Sequence, residues 1–243
     1  IKRFKLFLNP KDVFPDNDVK GGICYFVRDN MYSGKTNIEI KTDHESRSYF
    51  GFLLNPNSHT FIPFKELSDI LEKVSKKEDF LDNNFQKIVS VLKPYGLRTD
   101  FLKNQEKYQL PAVQERRLLD TDLEIFGLIE GNKSVIRYIP KDYPLPKKNL
   151  LNGWKVFISK AYGSGAFGEK ISTFIVCSPM QLCTETYLQI GKFKTENEAE
   201  SCLKYIKTKF FRAMIGILKT TQDAPSRIYD LVPLQNFTNS SDI

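Results

Sequence analysis

The chain has 243 residues, of which 41% are hydrophobic, and carries a formal net charge of +7. That is enough apolar content for one large domain or two small ones with real cores. No run approaches the ~18 consecutive apolar residues of a membrane span, and the basic start Ile1-Lys2-Arg3-Phe4 does not lead into a signal peptide.

In chain order, Val19-Lys20-Gly21-Gly22 leads into the apolar run Ile23-Cys24-Tyr25-Phe26-Val27, which reads as a buried strand. Turn residues at Asp29-Asn30 and Ser33-Gly34 precede Thr36-Asn37-Ile38-Glu39-Ile40-Lys41, which alternates like a half-exposed strand. The two are expected to form a hairpin. Residues 64–92 are predicted helical, because Phe64, Leu67, Ile70, Leu71 and Val74, then Phe85, Ile88, Val89 and Leu92, recur at spacings of three and four. Pro94-Tyr95-Gly96 breaks that pattern and places the main domain boundary.

Beyond it, strands are expected at Leu123–Ile129, Ser134–Ile139, Trp154–Ile158 with Lys155 outward, Ser172–Cys177 and Thr186–Ile190. Pro140, Pro144 and Pro146 with Lys147 and Lys148 mark a stiff surface connection. The last element opens on a capping box, Thr195-Glu196-Asn197-Glu198, in which hydroxyl and carboxylate each satisfy a free backbone N–H. From there Ala199, Cys202, Leu203, Ile206, Phe210, Ala213, Met214 and Ile217 form one apolar stripe, predicting a single long helix. The fold class is therefore α+β.

Charge is unevenly spread. Residues 1–132 hold 20 Lys/Arg against 20 Asp/Glu, while residues 133–219 hold 15 against 6. Such a basic half is an electrostatic footprint for a polyanion, or else a solvated surface that serves only solubility. Cys24, Cys177, Cys183 and Cys202 form no CxxC pair, and His44 and His59 lie far from the last three, so free thiols in a reducing, cytoplasmic setting are expected rather than zinc.

Few constellations carry chemistry. Gly163-Ser164-Gly165-Ala166-Phe167-Gly168 fits the letters of GxGxxG, but Ile171–Val176 reads as a strand, and that fingerprint needs a helix to hold the pyrophosphate. A hairpin loop flanked by Lys160 and Lys170, close to a DNA phosphate, is the expectation. Asp29 with Glu39-Ile40-Lys41 has the loose acid-then-ExK spacing of metal-dependent nucleases, although an alternating strand with its polar side in water explains the same letters. The expected DNA contacts are Lys155, Lys160, Tyr162, Ser164, Lys170, Thr184, Thr186, Lys207, Lys209, Arg212, Lys219 and Gln222. Lysines there would meet phosphates, and Ser, Thr or Gln would meet base edges.

A family resemblance sharpens this. Lys11-Asp12-Val13-Phe14-Pro15 followed by Asp18–Phe26, then Lys93-Pro94-Tyr95-Gly96-Leu97-Arg98-Thr99, resemble blocks of adenine-specific type II restriction–modification DNA methyltransferases. So do Trp154–Ala161, Cys183–Gly191, Tyr205–Arg212, Lys219–Gln222 and Val232–Phe237, in the same order. In that family a methyl group passes from S-adenosylmethionine to an adenine flipped out of the duplex. The family's Asn/Asp-Pro-Pro-Tyr/Phe loop is not matched, because Asn9-Pro10-Lys11 and Asn55-Pro56-Asn57 do not continue into Pro-Tyr. The glycine-rich cofactor motif is not matched either.

The resemblance therefore implies the C-terminal part of such an enzyme. Residues 1–50 would be a terminal hairpin of the methyltransferase fold, 51–95 a helical connection, and 96–243 a DNA target-recognition domain. Neither catalytic nor metal residues are expected, and no cofactor in these residues. S-adenosylmethionine would serve the parent enzyme, which could also carry an endonuclease. Partners would be double-stranded DNA and an upstream catalytic domain, with no membrane. The start at Ile1 and the abrupt end at Asn239–Ile243 fit an excised piece. A stand-alone nuclease using Asp29, Glu39 and Lys41, and a basic protein-interaction domain, remain as alternatives.

Overall fold

Period-two alternation builds the first sheet around a strand that the sequence conceals. The computed structural model describes residues 1–19, 21–43, 45–56, 58–76, 80, 82–104, 106–108, 113–130, 133–165 and 167–238. Lys20, His44, Asn57, Ala166 and residues 239–243, singled out above, lie outside the described residues. The chain forms two compact units, Ile1–Asp82 and Asn83–Ile243.

In the first unit, β1 (Arg3–Phe7), β2 (Ile23–Val27), β3 (Thr36–Lys41) and β4 (Ser46–Gly51) form one sheet in the order β2-β1-β3-β4. The expected hairpin of β2 with β3 does not form. β1 lies between them, antiparallel to β2 and parallel to β3. Register explains the insertion: Phe4 and Leu6 stand opposite Ile38 and Ile40, so one apolar face runs across both strands. β2 is left at the edge with Tyr25, Phe26 and Val27 exposed.

Helix α1 (Lys65–Ser75) buries Leu67 and Leu71 but stops well short of Leu92. Residues Phe85–Ile88 form a 3-10 turn instead. Their helical spacing is overridden by tertiary partners. Phe85 is fully buried against the rings of Phe211, Tyr205 and Tyr229, its N–H donates to Val232 O, and Val89 bridges to Ile190.

The second unit carries two three-stranded sheets. One joins β5 (Leu123–Leu128), β6 (Ser134–Ile139) and β9 (Gln181–Cys183) in the order β6-β5-β9. The other joins β7 (Trp154–Ser159), β8 (Phe174–Cys177) and β10 (Tyr187–Phe193), all antiparallel, in the order β10-β7-β8. Tyr95, Phe101, Leu123, Ile125, Phe157, Leu182 and Tyr187 share one core.

Helix α2 (Glu196–Ile206) packs on the second sheet. Its capping box forms, with Thr195 Oγ1 accepting from Glu198 N and Glu198 Oε2 accepting from Lys194 N. The single long helix does not form: the chain breaks at Lys207-Thr208 and restarts as α3 (Lys209–Leu218). Thr208 accounts for the break. Its hydroxyl donates to Tyr205 O (2.8 Å) and accepts from Phe211 N (3.0 Å), closing one helix and capping the next.

Cys177, Cys183 and Cys202 are buried free thiols, and Cys24 is exposed. Among the described residues, no helix is long and apolar enough to cross a membrane.

Candidate nucleic-acid interface

The helix break assembles a cationic cleft. In one unbroken helix, Lys207 and Arg212 would diverge by about 140°, five positions apart at 3.6 residues per turn. With the axis redirected at Thr208, both line a single cleft of about 180 Å3, joined by Lys170 from the segment leading into β8. Its remaining lining is apolar: Ile171, Phe174 and Ile206. Lys207 Nζ stands 5.3 Å from the Phe174 ring centroid. None of the three cations forms an ion pair with a carboxylate among the described residues, and Arg212 Nε is buried without a hydrogen-bond partner. An anion carried on a carbon frame suits such a cleft, and a sugar–phosphate is one.

The glycine loop beside it is shaped by its own carboxylate. Glu169 accepts from Ser164 N (2.6 Å), Ser164 Oγ (2.7 Å), Gly165 N (3.1 Å) and Lys219 Nζ (3.0 Å). Burial pushes its pKa upward, but the hydrogen bonds from Ser164, Lys219 and Gly165 outweigh that and bring it down to about 2. The backbone N–H groups that were expected to approach a phosphate thus already hold an anion. Gly163 is required here, at φ +65, because a Cβ would fall 2.1 Å from Glu169 Oε2. No helix follows the loop; β8 does. The GxGxxG letters are thus not followed by the helix N-terminus on which that fingerprint rests. Glu169 was missed, although it is the only acid between Tyr143 and Thr184 and that isolation is a visible signal.

The other expected contacts divide by burial. Lys155 does not point outward. It is fully buried, donates to Leu151 O (3.0 Å), and burial brings its pKa down to about 8 against the smaller upward pull of Cys177 and Cys183. Tyr162, Thr184 and Lys219 are also withdrawn from solvent. Lys219 Nζ lies 4.3 Å from the Tyr162 ring centroid and also donates to Tyr162 O, while Thr184 Oγ1 bonds Thr186 Oγ1. Lys160 is held by Glu185, which also faces Lys93. Ser164, Lys170, Lys207, Lys209 and Gln222 are exposed, and Arg212 and Thr186 are half-buried.

The acid-then-ExK residues of the first unit do not converge. Glu39 pairs with Lys5 (2.6 Å), Lys41 with Asp12, and Asp29 with Lys2 at the other end of β1. Among the described residues no three His, Cys, Asp or Glu side chains are grouped to hold a metal ion.

A protein of Mycoplasma pneumoniae described as an uncharacterized adenine-specific methylase is 35% identical over 83 residues, which cover 30% of this chain and 20% of that protein. The match thus spans about a fifth of the relative's length and supports a methyltransferase relationship for part of this chain. Neither a family model nor a solved structure matches the chain.

Proposed function

We propose that the second unit docks on double-stranded DNA and serves target recognition for an adenine-specific methyltransferase of a restriction–modification system. The observation that carries this reading is the cleft of Lys170, Lys207 and Arg212, three cations gathered on one surface without carboxylate partners among the described residues. The relationship to a protein named as an adenine-specific methylase supplies the context. Methyl transfer from S-adenosylmethionine would be the work of polypeptide bearing the Asn-Pro-Pro-Tyr type of loop, in the cytoplasm, with this unit holding the duplex.

The test is a duplex-binding titration of the 243-residue chain at several salt concentrations. Each phosphate neutralised contributes about 0.9 to the slope of log affinity against log salt. A steep slope is expected, and an absence of duplex binding at low salt refutes the reading in favour of an acidic protein partner. Magnesium-dependent cleavage of the duplex, abolished by Glu39→Ala, would refute it in favour of a nuclease.

A further inference from the structure

The cleft of Lys170, Lys207 and Arg212 has two kinds of wall. Among the described residues, its lining carries three cationic donors and no side chain that accepts a hydrogen bond. The rest is hydrocarbon and one aromatic ring: Ile171 and Ile206, both buried, and Phe174, half-buried in β8. Carbon predominates on the surface that the cleft offers. Lys207 Nζ, 5.3 Å from the Phe174 ring centroid, joins the two walls, so an anion drawn to it brings its carrier onto the ring. At about 180 Å3 the cleft has room for one sugar–phosphate unit.

We infer that the apolar wall selects deoxyribose: a backbone phosphate meets the three cations, and C2′ of the sugar that carries it through O3′ packs on Phe174, Ile171 and Ile206. The inference rests on the duplex-binding reading above and deepens it, naming what in the cleft separates DNA from RNA. C2′ lies one carbon from the esterified C3′, so it enters the cleft with the phosphate. In DNA that carbon is a methylene, and covering it with hydrocarbon is favourable. In RNA it bears a hydroxyl, a donor and an acceptor at once. The cations bond phosphate oxygens more strongly than a neutral hydroxyl, and no side chain on the wall takes the hydroxyl's proton. A hydroxyl covered without a partner weakens binding on the order of tenfold. The apolar wall is thus what reads the sugar, since positive charge attracts the phosphates of RNA and DNA alike.

The experiment compares duplexes of one base sequence bound by the 243-residue chain at low salt: DNA, RNA, and RNA with fluorine in place of every 2′-hydroxyl. The last two share the A form, so their difference isolates the polarity of the 2′ substituent from helix shape. The fluoro duplex is expected to bind about tenfold more tightly than RNA. Phe174→Thr keeps a β-branched residue in β8, and Phe174→Tyr keeps the ring; each puts a hydroxyl on the wall. Both should narrow the gap below about threefold and leave the salt slope of DNA binding as it is, because no charge changes. Equal affinity of the unaltered chain for RNA and fluoro RNA overturns selection by polarity. A gap that persists in full in both variants overturns its assignment to this wall. No binding to the DNA duplex removes the duplex-binding reading itself.

Discussion

Two sets of cations in the second unit began as one expectation and end in opposite places. Among the described residues, Lys170, Lys207 and Arg212 gather at an open cleft without carboxylate partners, whereas Lys155 and Lys219 are buried and held by internal acceptors. All five belong to the same basic stretch of sequence. The contrast shows that charge surplus counts cationic groups without saying which of them face water. A buried cation needs its own counter-charge or hydrogen bonds, and one that finds them is lost to any external anion.

The comparison is broken most sharply by removing the open set. Lys170→Ala, Lys207→Ala and Arg212→Ala together should lower the salt slope of duplex binding by about 3 and weaken binding on the order of a hundredfold near physiological salt. Thermal unfolding should move little, because Lys170 and Lys207 are exposed and the half-buried Arg212 gives up no ion pair seen among the described residues. An unchanged slope would mean that the cleft does not face DNA.

Removing the anchor of the buried set should act on stability instead. Glu169→Gln leaves Lys219 without its carboxylate, at an expected cost of about 3 kcal/mol in denaturant unfolding. The pH dependence has a definite sign. The folded pKa of about 2 lies below the ordinary 4.5, so this stabilisation is present above about pH 4.5 and is lost as pH falls toward 2. A Glu169→Gln variant that unfolds at the wild-type denaturant midpoint would contradict the lock.

Lys155 tests the same division in the other direction. With a folded pKa near 8 against 10.5 unfolded, the unfolded chain holds more protons between those values. Stability should therefore climb from about pH 8 to 10.5 and carry the full burial penalty below pH 8. Lys155→Met should raise stability at neutral pH by roughly 1–2 kcal/mol, the relief of burial being partly offset by the loss of the bond to Leu151 O. Duplex affinity should not change. If Lys155→Met weakens binding without destabilising the fold, the assignment of Lys155 to the interior is wrong.

The smallest expected effect is at the helix break. Thr208→Ala should cost about 1 kcal/mol as a lost N-cap. If the break is what aims Lys207 and Arg212 into one cleft, affinity should fall several-fold as well, which a purely structural cap would not produce.

Legibility varied with how local the cause was. The box at Thr195–Glu198 was readable because all its partners lie within four residues. The strand after the glycine loop was readable from β-branched and aromatic density at Ile171–Val176. β1 was not, since its five residues mix charge and apolar groups and make sense only beside Ile38 and Ile40. The run at Phe85, Ile88, Val89 and Leu92 misled because helical spacing also arises where side chains answer scattered partners, here an aromatic cluster and a bridge to β10. In the candidate site, the identity of the open cations was visible as composition. Their convergence was not, because it depends on a hydroxyl at Thr208 choosing capping over helix continuation.

By itself the amino-acid order determined a mixed α/β chain with a neutral first half and a basic second half, and a resemblance to one class of methyltransferases. Tertiary structure alone decided which lysines are solvent-facing, where the C-terminal helix breaks, and that Glu169 fills the glycine loop. The physical reason is range. Propensity, capping and alternation act over a few neighbours, whereas burial of a charge is settled by residues as far apart as Tyr162 and Lys219, which meet only when the chain has folded.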